Sequence, residues 1–343
     1  MNFPKEEFKQ TLLNLLAIDS PTGYTHDVIT HLKQDIEALG YETTLSNKGN
    51  LLVTVTGKSD KHIGISAHVD TLGLIVKGIK DNGTLSFSKL GGPIVPTLDG
   101  EYCTIYTRSG KSYTGTILSN SPAVHVYADA STRPRDPENM HIRLDEIVKT
   151  KEDVLALGLN SGDFICYDPK SQITESGFIK SRFLDDKLSV ALIFTLLDYY
   201  KTHHITPAHT ITFLFSTYEE VGHGLSHLPA GIEEVLALDM GCIGDDLNCS
   251  ETQVSICAKD SSGPYDYALT SKLIALAQSN ALDYAVDIYP YYGSDASAAQ
   301  RGGNDIRGGL IGAGVAASHG MERSHLLGAE NTWKLLYLYT TTV

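Results

Sequence analysis

The chain has 343 residues, more than a typical single domain, and 42% of them are hydrophobic against 20% that are charged. Its formal net charge of -14 argues against nucleic acids and anionic membranes as partners, which leaves small molecules or peptides. The five cysteines include no CxxC pair, the N-terminal segment lacks the form of an export signal and no stretch is long enough to span a bilayer, so we expect a cytoplasmic protein.

Helical and extended patterns alternate at the start of the chain. The predicted elements are helices at 3–18 and 25–39 and strands at 41–45, 51–56 and 62–67. Gly40 follows the second helix in the position of a C-terminal cap. This alternation predicts the beginning of an α/β domain.

Residues 73–169 follow a different pattern, in which short β-rich pieces are separated by turn signals such as Asp81-Asn82-Gly83. We predict that this segment is an inserted barrel or sandwich, rich in strands and turns throughout. An apolar helix near Asp185 and the strands HTITFLFST and EVLALDM then resume the earlier pattern. The predicted fold class is α/β, a mixed-sheet domain of residues 1–72 plus 170–343 with a small β-barrel-like insertion at 73–169.

Candidate ligands lie where predicted strands end or helices begin, which is where open α/β sheets place ligand-binding groups. His68 and Asp70 close one strand, and a carboxylate in that position could orient a metal-binding imidazole. Asp185 and Asp186 open the apolar helix, where a capping aspartate is commonplace. The preceding segment Arg182-Phe183-Leu184 indicates an extended approach that delivers Asp185 inward.

Glu219 and Glu220 follow another strand and precede a glycine-containing turn. Adjacent carboxylates can do different jobs there, one as a metal ligand and the other as a proton acceptor. Asp239 ends a further strand and by itself is equally typical of a cap or turn. The segment GVAASHGMERSH offers two histidines, of which His319 lies at a strand end and His325 lies in the next loop or helix start.

Together these residues form an ordered set of His, Asp, Glu-Glu, Asp and His. The set supplies one histidine and one carboxylate for each of two metals, and one further carboxylate to bridge them. Oxygen and nitrogen ligands without thiolates suit Zn, Co or Mn, and paired ions about 3.5–4 Å apart are typical of aminopeptidases. The sequence therefore predicts a two-metal hydrolase.

Motifs in this order resemble the TET-type dinuclear metalloaminopeptidases, a family that includes glutamyl and deblocking aminopeptidases. The motifs are SAHVDTLGLIV, SRFLDDK, STYEEVG, LALDMG, GSDASAAQ and ASHGMERSH. The resemblance runs the length of the chain, including the inserted β domain. It implies a metallopeptidase fold, peptide substrates and a homo-oligomer, a tetrahedral dodecamer whose dimers are built partly by the inserted domain.

The resemblance also implies a role for each site residue. The implied metal ligands are Asp185 as the bridge, His68 and Asp239 at one ion, and Glu220 and His319 at the other. Glu219 would be the general base, Asp70 would orient His68, and Asp295 would lie near the substrate end of the cleft. The residues around His319 depart from the family, which has a bulky residue before this histidine and a proline soon after it, and this indicates a distinct branch.

Other classes of function stay open on the sequence alone. A two-metal amidohydrolase or carboxypeptidase uses a similar order of ligands, although the β-rich insertion favours the aminopeptidase. Glycoside cleavage by paired carboxylates would leave the histidines idle, and a non-catalytic assembly protein would not need every ligand type. The preferred N-terminal residue of the substrate is also open, since Lys259, Arg301 and Arg307 are each as typical of the surface as of an acid-binding pocket.

Overall fold

The computed structural model describes residues 1–342 of the chain, which divides into two compact units. One unit comprises Met1–Asp70 and the chain from Lys170 onward, and the other comprises Thr71–Pro169. The sequence predicts an insertion at residues 73–169, close to the bounds of this second unit.

Helices and strands alternate along the larger unit, while strands dominate the smaller one. The helices are α1 (Lys5–Leu16), α2 (His26–Ala38), α3 (Lys151–Leu157), α4 (Leu184–Thr202), α5 (Tyr267–Ser279), α6 (Asp295–Arg301) and α7 (Leu326–Thr341). The first strands are β1 (Thr43–Leu45), β2 (Leu51–Val55), β3 (His62–His68), β4 (Gly73–Ile79), β5 (Leu85–Leu90), β6 (Tyr102–Tyr106), β7 (Ser112–Ser119), β8 (Met140–Leu144) and β9 (Phe164–Tyr167). The remaining strands are β10 (Gln172–Ile173), β11 (Phe178–Ser181), β12 (Thr210–Ser216), β13 (Glu234–Leu238), β14 (Gly241–Cys242), β15 (Val254–Asp260), β16 (Gly263–Pro264), β17 (Tyr284–Ile288), β18 (Arg307–Val315) and β19 (Glu322–His325).

The larger unit is built on one mixed sheet with the strand order β1-β2-β12-β3-β13-β18-β15-β16, which β14 and β17 extend at β18 and β15. The central strands β12, β3, β13 and β18 run parallel to one another. Their continuous runs of buried residues are typical of strands that are covered on both faces. Helix α4 is buried along most of its length, because its sequence is apolar all round. The carboxyl ends of the parallel strands therefore meet at one edge of the sheet, where ligand sites form.

A small antiparallel sheet, β10-β11-β19, joins segments that are far apart in the sequence. Ser181 at the end of β11 pairs with Glu322 at the start of β19. Asp185 follows β11 along the chain and His319 precedes β19. This pairing therefore brings two of the predicted ligands to the same place.

The smaller unit is a closed barrel with the strand order β4-β5-β8-β7-β6-β9. The predicted β-barrel-like insertion is confirmed, but the expectation of strands and turns throughout is wrong, because α3 lies between β8 and β9. Thr150 and Asp153 form a capping box at the start of this helix, and Gly158 adopts the left-handed conformation at its end. These caps explain why a helix of only two turns forms here.

All five cysteines are free thiols, and four of them are buried. Burial raises the pKa of Cys103 to about 12, so this thiol stays protonated near neutral pH.

Among residues 1–342, no helix combines the length and the apolar character needed to cross a bilayer.

Candidate metal centre

The structure gathers the predicted ligands at the carboxyl edge of the parallel strands. His68 is the last residue of β3, and Asp239 directly follows β13. Glu219 and Glu220 lie in a single turn of 3-10 helix that follows β12. The remaining two, Asp185 and His319, come from the start of α4 and from the segment between β18 and β19.

Asp185 lies between the two histidines. Its Oδ1 atom is 3.0 Å from Nε2 of His68, and its Oδ2 atom is 3.5 Å from Nε2 of His319. The carboxylate is almost fully buried, and the peptide bond between Asp185 and Asp186 is cis. Because each oxygen faces a different imidazole, the geometry is that of a carboxylate able to bridge two cations.

The other carboxylates surround this pair of histidines. Oε2 of Glu220 is 3.5 Å from Nε2 of His319, and Oε2 of Glu219 is 3.8 Å from Nε2 of His68. One set of mutually close ligand atoms comes from His68, Asp185 and Glu220, and another comes from His68, Glu219 and Asp239. These sets divide the residues differently from the resemblance, which separates Glu220 from His68 and keeps Glu219 off the metals. The assignment of ligands to individual ions therefore stays a prediction.

The second histidine of the final segment lies elsewhere. His325 caps α7, where its Nδ1 accepts a hydrogen bond from the backbone N–H of Leu327, and its Nε2 is 2.8 Å from the carbonyl oxygen of Ser176. His319, by contrast, faces the carboxylates. The structure therefore favours His319 over His325 as the histidine of the cluster.

Asp70 connects three parts of the site through its buried carboxylate. The carboxylate accepts hydrogen bonds from the hydroxyl of Thr22 at 2.7 Å and from the backbone N–H groups of Glu219 and Glu220 at 3.1 and 3.3 Å. The ring of His68 is held mainly by the main-chain carbonyl of Asp70, at 2.8 Å from Nδ1, while the carboxylate is 3.5 Å away. Asp70 thus positions the turn that carries the two glutamates as well as the imidazole.

Two further buried acids accept hydrogen bonds from segments that carry or adjoin the predicted ligands. Glu322 accepts hydrogen bonds from the backbone N–H groups of Asp185 and His319, both at 3.1 Å. Asp295 accepts from the hydroxyl of Ser216 at 2.5 Å and from the backbone N–H of Leu225 at 3.0 Å. Glu322 was not among the predicted site residues, although an acid between the two histidines of HGMERSH was a signal for it. Asp295 anchors the segment that follows β12, and its expected place near the substrate end of the cleft stays a prediction.

The buried carboxylates of the cluster carry negative charge that a bound cation would stabilise. Burial raises the pKa of Glu219 and Glu220, and for Glu220 the charge of Asp185 adds to the effect. Burial and the same charge raise the pKa of Asp239 to about 8. Burial acts on Asp185 too, but hydrogen bonds from the two histidines outweigh it and hold the pKa of Asp185 well below its usual range. Divalent cations would offset this crowding of carboxylates.

The donor groups fit divalent cations. They are carboxylate oxygens and imidazole nitrogens, which suit Zn, Co or Mn. Oε1 of Glu220 is buried and has no hydrogen-bond partner among residues 1–342, and metal coordination would satisfy it. Nδ1 of His68 faces a carbonyl oxygen, which only accepts, so Nδ1 carries a proton and Nε2 is directed into the cluster.

The basic residues considered for an acid-binding pocket have other partners. Arg307 begins β18 at the opposite end of the strand from the cluster, and it forms an ion pair of 3.0 Å with Glu234. Lys259 donates to the carbonyl of Asp260, and Arg301 donates to the hydroxyl of Ser262. Arg307 is therefore removed from the candidates for substrate recognition.

Comparisons with known proteins agree with the fold. A family model described as M42 glutamyl aminopeptidase matches residues 49–335. The chain is 48% identical over 332 residues to YhfE of Bacillus subtilis, which carries a provisional aminopeptidase name, and the match covers 96% of each protein. A TET aminopeptidase from the marine sediment archaeon Thaumarchaeota archaeon SCGC AB-539-E09 has a TM-score of 0.89 at 18% identity, over 98% of this chain and 97% of that one. The Pyrococcus horikoshii TET1 peptidase, which can assemble into a tetrahedron or a large octahedral shell, has a TM-score of 0.86 at 24% identity, over 98% and 100%.

The role of Asp70 can be tested by Asp70→Asn. The amide has the shape of the carboxylate but no charge. Its NH₂ group would face at least one of the three donors that bond to the Asp70 carboxylate, namely Thr22 and the backbone N–H groups of Glu219 and Glu220. We expect metal affinity to fall by roughly 10–100-fold, the usual effect of losing such a supporting group. The measurement is a titration of the metal-free protein with Zn, beside the exposed control Asp60→Asn. Equal affinity for both variants would show that Asp70 does not position the ligands.

Proposed function

Because the chain belongs to the M42 glutamyl aminopeptidase family, we propose that it is a metal-dependent aminopeptidase that removes single residues from the N-termini of peptides. The observation that carries the proposal is the placement of Asp185, whose two oxygens face His68 and His319 within a buried group of carboxylates. A site rich in carboxylates also suits the positive charge of a free peptide N-terminus.

The proposed metal ligands are the five residues of the cluster that the resemblance assigns, with two cations per subunit. These ligands are His68, Asp185, Glu220, Asp239 and His319. When bound, Zn, Co or Mn would polarise the scissile carbonyl and make the attacking water more acidic. The chain itself supplies the buried surroundings and fixes the orientation of each ligand, through Asp70 at His68 and through Glu322 at Asp185 and His319.

Glu219 is the proposed general base. It would take a proton from the attacking water and pass it to the amine that leaves. Its position beside His68 supports the proposal, because the carboxylate lies within the cluster while its backbone is held by Asp70.

We propose further that the protein works as a cytoplasmic homo-oligomer, and specifically as a tetrahedral dodecamer. The likeness to the Pyrococcus horikoshii TET1 peptidase supports this proposal, since that protein can assemble into a tetrahedron. The barrel unit presents several exposed apolar side chains that a partner subunit could cover. They include Tyr102, Val124, Val126 and Ile147.

The function is tested with a panel of unblocked aminoacyl-p-nitroanilides and their N-acetylated counterparts. We expect hydrolysis of unblocked substrates only, its loss after exhaustive chelation and dialysis, and its return with Zn, Co or Mn. Undiminished hydrolysis of the unblocked substrates by the metal-free protein would contradict the proposal, as would equal hydrolysis of the acetylated ones.

The two adjacent glutamates should fail in different ways. Glu219→Gln should keep both metals and lose about 10²–10⁴ in kcat, because it removes the proton acceptor. Glu220→Gln should lose metal first and partly recover its activity with excess metal, because an amide cannot replace the charge of a ligand carboxylate.

Elemental analysis beside kcat separates these outcomes, with the exposed Glu233→Gln as the matched control. A metal equivalent lost from Glu219→Gln but not from Glu220→Gln would reverse the roles, a result that the closeness of Glu219 to His68 and Asp239 makes worth testing.

The assembly is tested by light scattering on the purified protein. The chain has a mass of 37.2 kDa, and we expect a particle several times larger. A monomer at working concentration would refute the oligomer, and a closed assembly of another size would refute the dodecamer alone.

A further inference from the structure

The barrel unit contains a cavity of about 620 Å³ whose lining is basic. The turn between β4 and β5 contributes Lys80, and β8 contributes His141 and Arg143. The segment after β8 adds Lys149 and one carboxylate, Glu146. Three cations against one acid is an unusual lining in a chain whose net charge is -14.

Within residues 1–342, none of the three cations of the cavity forms a salt bridge, although Lys149 acts through its charge on Asp153. Two other cations of the barrel unit are paired, Arg133 with Asp129 and Arg135 with Asp99. In the same described range, the side chains of Lys80, Arg143 and Lys149 form no hydrogen bond, and those of Arg143 and Lys149 are exposed. Grouped cations repel one another, so their positive potential is available to a ligand.

Hydrogen bonds hold two polar residues of the cavity lining, Asn120 and His141. The amide of Asn120 donates to the main-chain carbonyl of Glu138 at 3.1 Å, which directs its oxygen toward Nδ1 of His141 at 2.8 Å. Burial and the charges of Lys80 and Arg143 lower the pKa of His141. The imidazole therefore senses both cations, which places the three groups in one electrostatic environment.

We propose that this cavity binds a small molecule that carries a phosphate group. Arg143 offers the planar fork that matches phosphate oxygens, and the two lysines supply point charges around it. The volume lies in the range of small-molecule pockets and exceeds the needs of a free phosphate. The half-exposed ring of Tyr127 lines the same cavity and offers an apolar surface for the organic part of the ligand.

The charge of the chain favours a small ligand over a long polyanion. A nucleic acid would extend beyond the cavity and meet the field of a protein with a net charge of -14. A compact anion can instead remain among the three cations. This site is independent of the proposed peptide hydrolysis, and it lies within the barrel unit.

The experiment is calorimetric titration of the metal-loaded protein with phenyl phosphate, with benzyl alcohol as the uncharged comparison and citrate as the carboxylate comparison. We expect saturable binding of phenyl phosphate at millimolar concentration or below, and weaker binding of the other two. Lys80→Gln and Arg143→Gln should each weaken binding by about tenfold or more, because each removes a charge-assisted contact. Lys77→Gln, an exposed cation on β4 outside the cavity, should bind as the unaltered protein does.

Three results would overturn the proposal. The first is the absence of saturable binding. The second is binding that Lys80→Gln and Arg143→Gln leave unchanged, since the anion would then lie elsewhere, for example at the metal centre. The third is tighter binding of citrate than of phenyl phosphate, which would reject phosphate as the ligand class. Thermal melting of each variant verifies its folding, and because the two residues lie on different elements, either variant alone can decide the outcome.

Discussion

The fold of the larger unit is organised around one constraint, which is that several carboxylates must be buried together beside only two imidazoles. Buried carboxylates repel one another in a medium that screens charge weakly, so each needs hydrogen-bond donors or a cation. Asp185 satisfies both of its oxygens by facing His68 and His319. The remaining acids of the cluster, Glu219, Glu220 and Asp239, have pKa values raised by burial. The proposed cations would complete this balance of charge.

Three further acids hold the ligands in position through hydrogen bonds to the backbone. Asp70 binds the backbone of Glu219 and Glu220, Glu322 binds the backbone of Asp185 and His319, and Asp295 binds the segment after β12. Each of these carboxylates accepts from backbone N–H groups, which are fixed by the chain itself and carry no conformational freedom of their own. The ligands are thus oriented by the main chain as much as by side-chain packing, which is how a preorganised metal site is built.

The two units differ in the charge that they concentrate. The larger unit gathers carboxylates at the ends of parallel strands, where a cation or an amino group would bind. The barrel unit gathers Lys80, Arg143 and Lys149 around a cavity, where an anion would bind. A chain that is acidic as a whole therefore carries two opposite local potentials, and each predicts its own class of ligand.

The sequence by itself predicted most element types, a small β-barrel-like insertion and the residues that meet in the cluster, because each candidate follows a strand or opens a helix and local periodicity reveals those boundaries. It did not reveal α3, although the caps at Thr150 and Gly158 were legible, because a helix of two turns leaves little periodicity. Only the tertiary structure placed His319 beside the carboxylates and His325 at the start of α7, showed Glu322 hydrogen-bonded to the backbone of Asp185 and His319, and grouped the cations of the barrel cavity. These features depend on pairings between segments far apart in the chain, such as β11 with β19, and no local pattern encodes which distant segment will lie alongside another.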